Sequence, residues 1–211
     1  MRTNKLSNDT SDAHIIGRVL SMTDNIPKFI IDVGASEGHY NSNSMPLILE
    51  MSWCGILLEP MPIQFKQLMT RYQDIDDIQC INAVLCDNDS IVDMFIHPND
   101  GDGTTAGNHG SSLIKMARNK IVVKVPSISY ESLNSLRNLR DVGILSIDTE
   151  GYDFDILRGL LPLGLPAVII SEVIEVGEED KVRFIESFGY HMIIDGHSNK
   201  AWALPHYIRE N

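Results

Sequence analysis

Two acidic residues stand where a small ligand could be held. Asp32 lies two residues before the first glycine of Asp32-Val-Gly34-Ala35-Ser-Glu-Gly38, a loop directly after the apolar run Phe29–Val33. Glycines there let the backbone turn sharply and approach a ligand with no Cβ in the way. The spacing Gly34-x-x-x-Gly38 differs from the dinucleotide fingerprint G-x-G-x-x-G, and the loop lacks the lysine of a phosphate-binding P-loop. A carboxylate at position 32 repels a pyrophosphate but can receive an α-ammonium group. Glu59 ends a second apolar run, Gly55–Leu58. A carboxylate in that place can accept hydrogen bonds from both hydroxyls of a ribose, although an acid after a strand is also an ordinary solvated loop residue. An amino-acid end and a ribose in one ligand describe S-adenosylmethionine, whose adenine would lie against Asn82-Ala83-Val84.

The third place is Leu145-Ser-Ile-Asp148-Thr-Glu150-Gly151-Tyr152-Asp153, with Glu172 ending the next apolar run. In an open α/β sheet, ligands sit outside the carboxyl ends of the strands, near the point where chain order reverses. Carboxylates converging on one edge must be paired, protonated or metal-bound, because their mutual repulsion is costly. Glu150 or Asp153 could instead cap the helix that follows. As a general base, Asp148 is the first candidate and Glu150 the second. His39 and His109, in loops on the same side, are alternatives, and a loop histidine is also a common surface residue. Asp148 with Glu172 could hold a divalent metal. The residues leave metal use open.

These residues need a scaffold, and the apolar pattern describes one. Helical spacing near 13–23 follows a polar stretch, 1–12, expected to fray as a flexible N-terminus. Buried-strand runs at Phe29–Val33, Gly55–Glu59, Ile78–Leu85, Gly143–Asp148 and Ala167–Glu172 alternate with helical segments at Met45–Trp53, Met61–Tyr72, Phe154–Leu160 and Lys181–Phe188. That rhythm predicts a doubly wound, mostly parallel α/β sheet in a single domain over 13–211. His191–Ile194 and Ala201–Leu204 can pair as a hairpin. Ile91–Ile96 and Ile121–Val125 read as an inserted, half-exposed pair. The loop between them, 98–112, is small-sided and rich in glycine, either a functional loop or plain disorder.

Composition narrows the partners. The 211 residues carry 17 Lys+Arg against 29 Asp+Glu, a net charge of −12, so an anionic polymer or anionic membrane surface is disfavoured and no nucleic-acid partner is expected. Cys54, Cys80 and Cys86 show no metal spacing and suit a reducing compartment. No apolar run approaches the roughly 20 residues of a membrane helix, and no signal peptide is visible. A cytoplasmic protein is expected, without stable membrane insertion.

With these places in hand, the chain resembles the FkbM-type methyltransferase family. The matching motifs are Ile31-Asp-Val-Gly-Ala35 with Gly38, Leu58-Glu-Pro60 with Phe65 and Leu68, and Ile147-Asp-Thr-Glu-Gly-Tyr152 with Leu157 and Gly159. Their order covers Phe29 to Glu172. The resemblance implies a class I, Rossmann-like fold with a reversed last strand. It also implies S-adenosylmethionine-dependent O-methyl transfer to a hydroxyl of a sugar, glycan or related small molecule. By matching position, Asp32, Gly34, Ala35 and Gly38 would hold the methionine end, and Glu59 with Pro60 the ribose. Asn82, Ala83 and Val84 would hold the adenine, and Ser111-Ser112 match a serine-containing segment close to the cofactor, which Asp148 also borders. The chain departs from the family at Ser146, where a lysine is frequent, and after Gly38, where His39-Tyr-Asn-Ser-Asn-Ser is longer and more polar. A cofactor-binding or regulatory module without transfer activity is the alternative. An oxidoreductase is disfavoured by the glycine spacing.

Overall fold

A computed structural model describes residues 15–39, 42–96, 112–113, 121–173 and 177–210. The first half of the chain runs α1 (Ile15–Met22), β1 (Phe29–Val33), α2 (Ser44–Met51), β2 (Cys54–Leu58), α3 (Pro62–Tyr72) and β3 (Ile78–Ile81). Then come β4 (Val84–Cys86), β5 (Ser90–Ile96), β6 (Ile121–Ser129), α4 (Tyr130–Leu136) and β7 (Ile144–Ile147). The chain closes with α5 (Asp153–Leu160), β8 (Val168–Glu172), α6 (Glu178–Ser187), β9 (His191–Asp195) and β10 (Asn199–Ala203).

Seven strands form one sheet in the order β3-β2-β1-β7-β8-β10-β9. The first five are mutually parallel, while β10 runs antiparallel to both β8 and β9. The expected hairpin at the C-terminal end and the reversed last strand are therefore present. Both faces of the sheet are covered. Ile31, Val33, Leu145, Ile147, Ile169 and Trp202 pack with α4, α5 and α6, whereas their neighbours Ile30, Ile144, Val168 and Ile170 pack with α1. Alternate residues of one strand point to opposite faces, and both sets are apolar because helices lie on each side.

The expected single strand Ile78–Leu85 is two strands. It breaks at Asn82-Ala83, where the Ala83 N–H turns back to Ile81 O (3.1 Å), and β4 leaves for a second sheet of order β4-β6-β5. An apolar run carries no mark of which sheet it joins. The inserted pair is present as antiparallel β5 and β6, with Ile96 opposite Ile121, and β4 adds a parallel third strand. The short helix α4 follows at once. Its cap, Ser129, accepts from the Ser132 N–H, and the Asp89 carboxylate accepts from Ser129 N–H (2.8 Å) and Ser132 Oγ (2.7 Å). Residues 1–12 lie outside the described part. Among the described residues no helix is long and apolar enough to cross a membrane.

Candidate active site

Chain order reverses between β1 and β7, which opens a crevice at the carboxyl ends of the parallel strands. It encloses about 340 Å³, within the ordinary range for small-molecule sites. Asp32, Gly34, Ala35, Glu59, Pro60, Ala83, Val84, Asp148 and Glu150 all border it, so nine of the residues singled out from sequence converge on one cleft.

The two first acids are held differently. Asp32 is buried inside β1, and burial pushes its carboxyl above the usual range while hydrogen bonds with Ser44 and Ser146 pull it back. The serine at 146 thus partners Asp32, and its hydroxyl also accepts from Asn43 Nδ2 (3.1 Å). Glu59 ties two loops together. Its Oε2 accepts the Ser36 N–H (2.9 Å) and its Oε1 the Met61 N–H (2.7 Å). Burial raises Glu59 to about 7, against the pull of those two bonds. Each carboxylate oxygen has a second lone-pair site, so the group keeps the capacity to accept hydroxyls.

Asn82 and Gly38 support the site from beneath and do not border the cleft. Asn82 Nδ2 donates to Glu59 O (2.8 Å) and Pro60 O (3.0 Å), fixing the end of β2. Gly38 accepts from Tyr72 Oη (3.0 Å) through its carbonyl, and a Cβ there would lie 2.6 Å from Leu68. Its φ of +69° also suits glycine.

The opposite wall is acidic. Asp148 is exposed to the cleft, and no hydrogen bond to its carboxylate forms among the described residues. Surrounding protein atoms still desolvate it. Together with repulsion from Glu172, Asp153, Glu150 and Asp32, this raises it to about 8. A carboxyl in that state can take or give a proton near neutral pH. Glu150 borders the cleft with a left-handed φ of +55° and caps no helix. Asp153 is fully buried and structural: it accepts from the Thr149 N–H (3.0 Å), Thr149 Oγ1 (2.6 Å), Ser171 Oγ (3.0 Å) and the Glu172 N–H (3.2 Å). Among the described residues no cluster of three or more His, Cys, Asp or Glu is arranged to hold a metal.

His39 is exposed and does not border the cleft; Ser111 and His109 lie outside the described residues. Ser112 does border it, pinned by the exchange of both backbone hydrogen bonds with Phe95 (2.9 and 3.0 Å). Met94 from β5 also lines the cleft, as do Leu113 next to Ser112 and Ser42 and Asn43 from the turn before α2, and no motif in the sequence marks them. The polar run after Gly38 was the only signal for the last two.

The FkbM methyltransferase domain model matches residues 32–192, most of the chain. A sequence comparison with curated proteins gave no match. Among solved structures, the FkbM methyltransferase of Methylobacillus flagellatus KT superposes with a TM-score of 0.59 at 14% identity, over 91% of this chain and 47% of that one. The chain therefore spans about half the length of that relative. An rRNA methylase from Streptococcus thermophilus (TM-score 0.50, 7% identity, 90% of this chain and 93% of that one) has the same fold. So does the fibrillarin pre-rRNA processing protein of Methanococcus jannaschii (0.50, 11%, 89% and 72%). The family match spans all three places read from the sequence, and the chain belongs to the FkbM methyltransferase family, a class of S-adenosylmethionine-dependent methyltransferases.

Proposed function

We propose that this chain transfers the methyl group of S-adenosylmethionine to a hydroxyl of a small neutral acceptor, such as a sugar or glycan. The observation that carries this reading is the division of the cleft. Buried Asp32 and Glu59 line one side, and exposed Asp148, whose carboxylate makes no hydrogen bond among the described residues, lines the other. The donor set fits the cofactor. Asp32 suits an ammonium group, Glu59 suits ribose hydroxyls, and Met61, Ala83, Val84 and Met94 offer an apolar surface for adenine. Gly34, Ala35 and Pro60 would complete the holding residues, with Asn82 and Gly38 acting from beneath.

When bound, the cofactor supplies an electrophilic methyl on a cationic sulfur. The chain's own task is alignment, together with removal of a proton from the acceptor hydroxyl. Asp148 is the group for that proton, with Glu150 next to it on the same turn. The acidic wall and the net charge of −12 favour an uncharged acceptor over a polyanion. The three free cysteines support a reducing, cytoplasmic setting.

Calorimetry with S-adenosylmethionine, S-adenosylhomocysteine and NAD tests the first half of this reading. Binding of NAD and of neither sulfur compound would overturn it. A panel of sugars, other alcohols and RNA, incubated with methyl-labelled cofactor, tests the second half. Label in RNA alone would refute the acceptor class. Binding with no transfer to any panel member would favour a cofactor-binding module.

A further inference from the structure

Lys181, far from the motifs, is completely buried in the first turn of α6, and among the described residues it is the only buried lysine or arginine. Its ammonium pairs with Glu178 Oε2 (2.9 Å), donates to Ser171 Oγ (3.2 Å) and also donates to the Glu172 carbonyl. Ser171 in turn donates to Asp153 (3.0 Å). Asp153 holds the Thr149 N–H and hydroxyl, so a continuous chain of contacts runs from α6 to the turn carrying Asp148 and Glu150. That turn needs bracing, because Glu150 and Gly151 both have positive φ, +55° and +103°. A carboxylate accepting four hydrogen bonds is a good brace only while ionised. Burial works against its ionisation, and the nearby positive charge of Lys181 works for it.

We propose that Lys181 is a positioning residue for the methyl-transfer cleft: acting through Ser171 and Asp153, it fixes the Asp148–Glu150 turn in the geometry that receives the cofactor. This rests on the reading of the cleft as an S-adenosylmethionine site. Glu178 is the ion-pair partner of Lys181, and it is itself shared with Lys200 (3.6 Å). A pure helix staple would work through that pair. The positioning role works through Asp153.

The experiment is calorimetric titration of S-adenosylmethionine into the full chain, at a temperature well below the melting point of every variant. K181M and D153N are each expected to weaken binding about tenfold, a modest part of what breaking a buried ion pair can cost. The double variant K181M/D153N is expected to bind no more weakly than K181M, since both changes cut one chain of contacts. E178Q is expected to stay within about twofold of the wild type. In K181M, amide hydrogen exchange at Thr149 should accelerate. Wild-type affinity in folded K181M, or equal losses in K181M and E178Q, would overturn the proposal. Should K181M not fold, K181Q takes its place, and wild-type affinity there is the overturning result. Failure of the wild type itself to bind would instead count against the cofactor reading.

Discussion

Gly34 and Asp148 meet backbone to backbone: a Cβ built on Gly34 would lie 1.9 Å from the Asp148 carbonyl oxygen and 3.0 Å from its carbonyl carbon. The loop after β1 and the loop after β7 thus touch at one point, with the Asp148 N–H donating to Val33 O (3.0 Å) beside it. This contact sets the spacing between the two walls of the cleft.

Substitution G34A must therefore push the two loops apart and also place alanine at a φ of +88°. Overpacking and the left-handed backbone together should destabilise the fold by about 2–4 kcal/mol. Urea unfolding measures this, and S-adenosylmethionine titration should show binding lost even where the protein remains folded. Wild-type affinity in G34A would mean that the contact does not control the cleft.

D148N is expected to reduce methyl transfer by about 10²–10⁴-fold, the usual range for a positioned acid or base. Cofactor affinity should change far less, because no other described residue depends on this carboxylate for a hydrogen bond. Single-turnover transfer alongside calorimetry separates the two effects. Transfer at the wild-type rate would remove Asp148 from the chemistry.

Stability should fall as pH rises. Glu59 is raised from 4.5 to about 7 and Asp148 from 3.8 to about 8, so between about pH 4 and 8 the folded chain keeps protons that the unfolded chain has released. Stability then declines with increasing pH through that window, and below it these groups contribute no slope. Each retained proton is worth up to about 1.4 kcal/mol per pH step. Unfolding of the ligand-free protein at pH 5.5 and 8.5 gives the sign, and E59Q or D148N should flatten the slope. Adding the cationic cofactor should release protons, seen as a buffer-dependent binding enthalpy.

N82A tests support from beneath. Losing the amide that holds Glu59 O and Pro60 O should cost about 1–2 kcal/mol of stability, as for two partly buried hydrogen bonds. It should also weaken the cofactor severalfold by releasing Glu59. E59Q should weaken it more, because an amide nitrogen would replace one of the two oxygens facing the Ser36 and Met61 N–H groups. Equal affinity in N82A and wild type would limit Asn82 to a structural part.

The parallel core was legible because strands buried on both faces must be apolar throughout, as in Ile30–Ile31 and Ile144–Ile147. The break at Asn82-Ala83 was not, since apolar character continues across it while the chain changes sheets. Capping was ambiguous for a similar reason. An acid near a helix start can cap it, face solvent or brace a turn, and only packing assigned Asp153 to the Thr149 turn and left Asp148 in the cleft.

By itself the sequence determined the alternation of strands and helices in the parallel core, the acid at the end of each critical strand and the family. These are local or linear properties, carried by apolar periodicity and short motifs. Only the tertiary structure decided that Glu59 bridges two loops, that Ser146 and Ser44 partner Asp32, and that Lys181 reaches the Asp148 turn through Ser171 and Asp153. Those outcomes depend on contacts between residues distant along the chain. Desolvation and hydrogen bonding at such contacts give chemically identical carboxylates different roles.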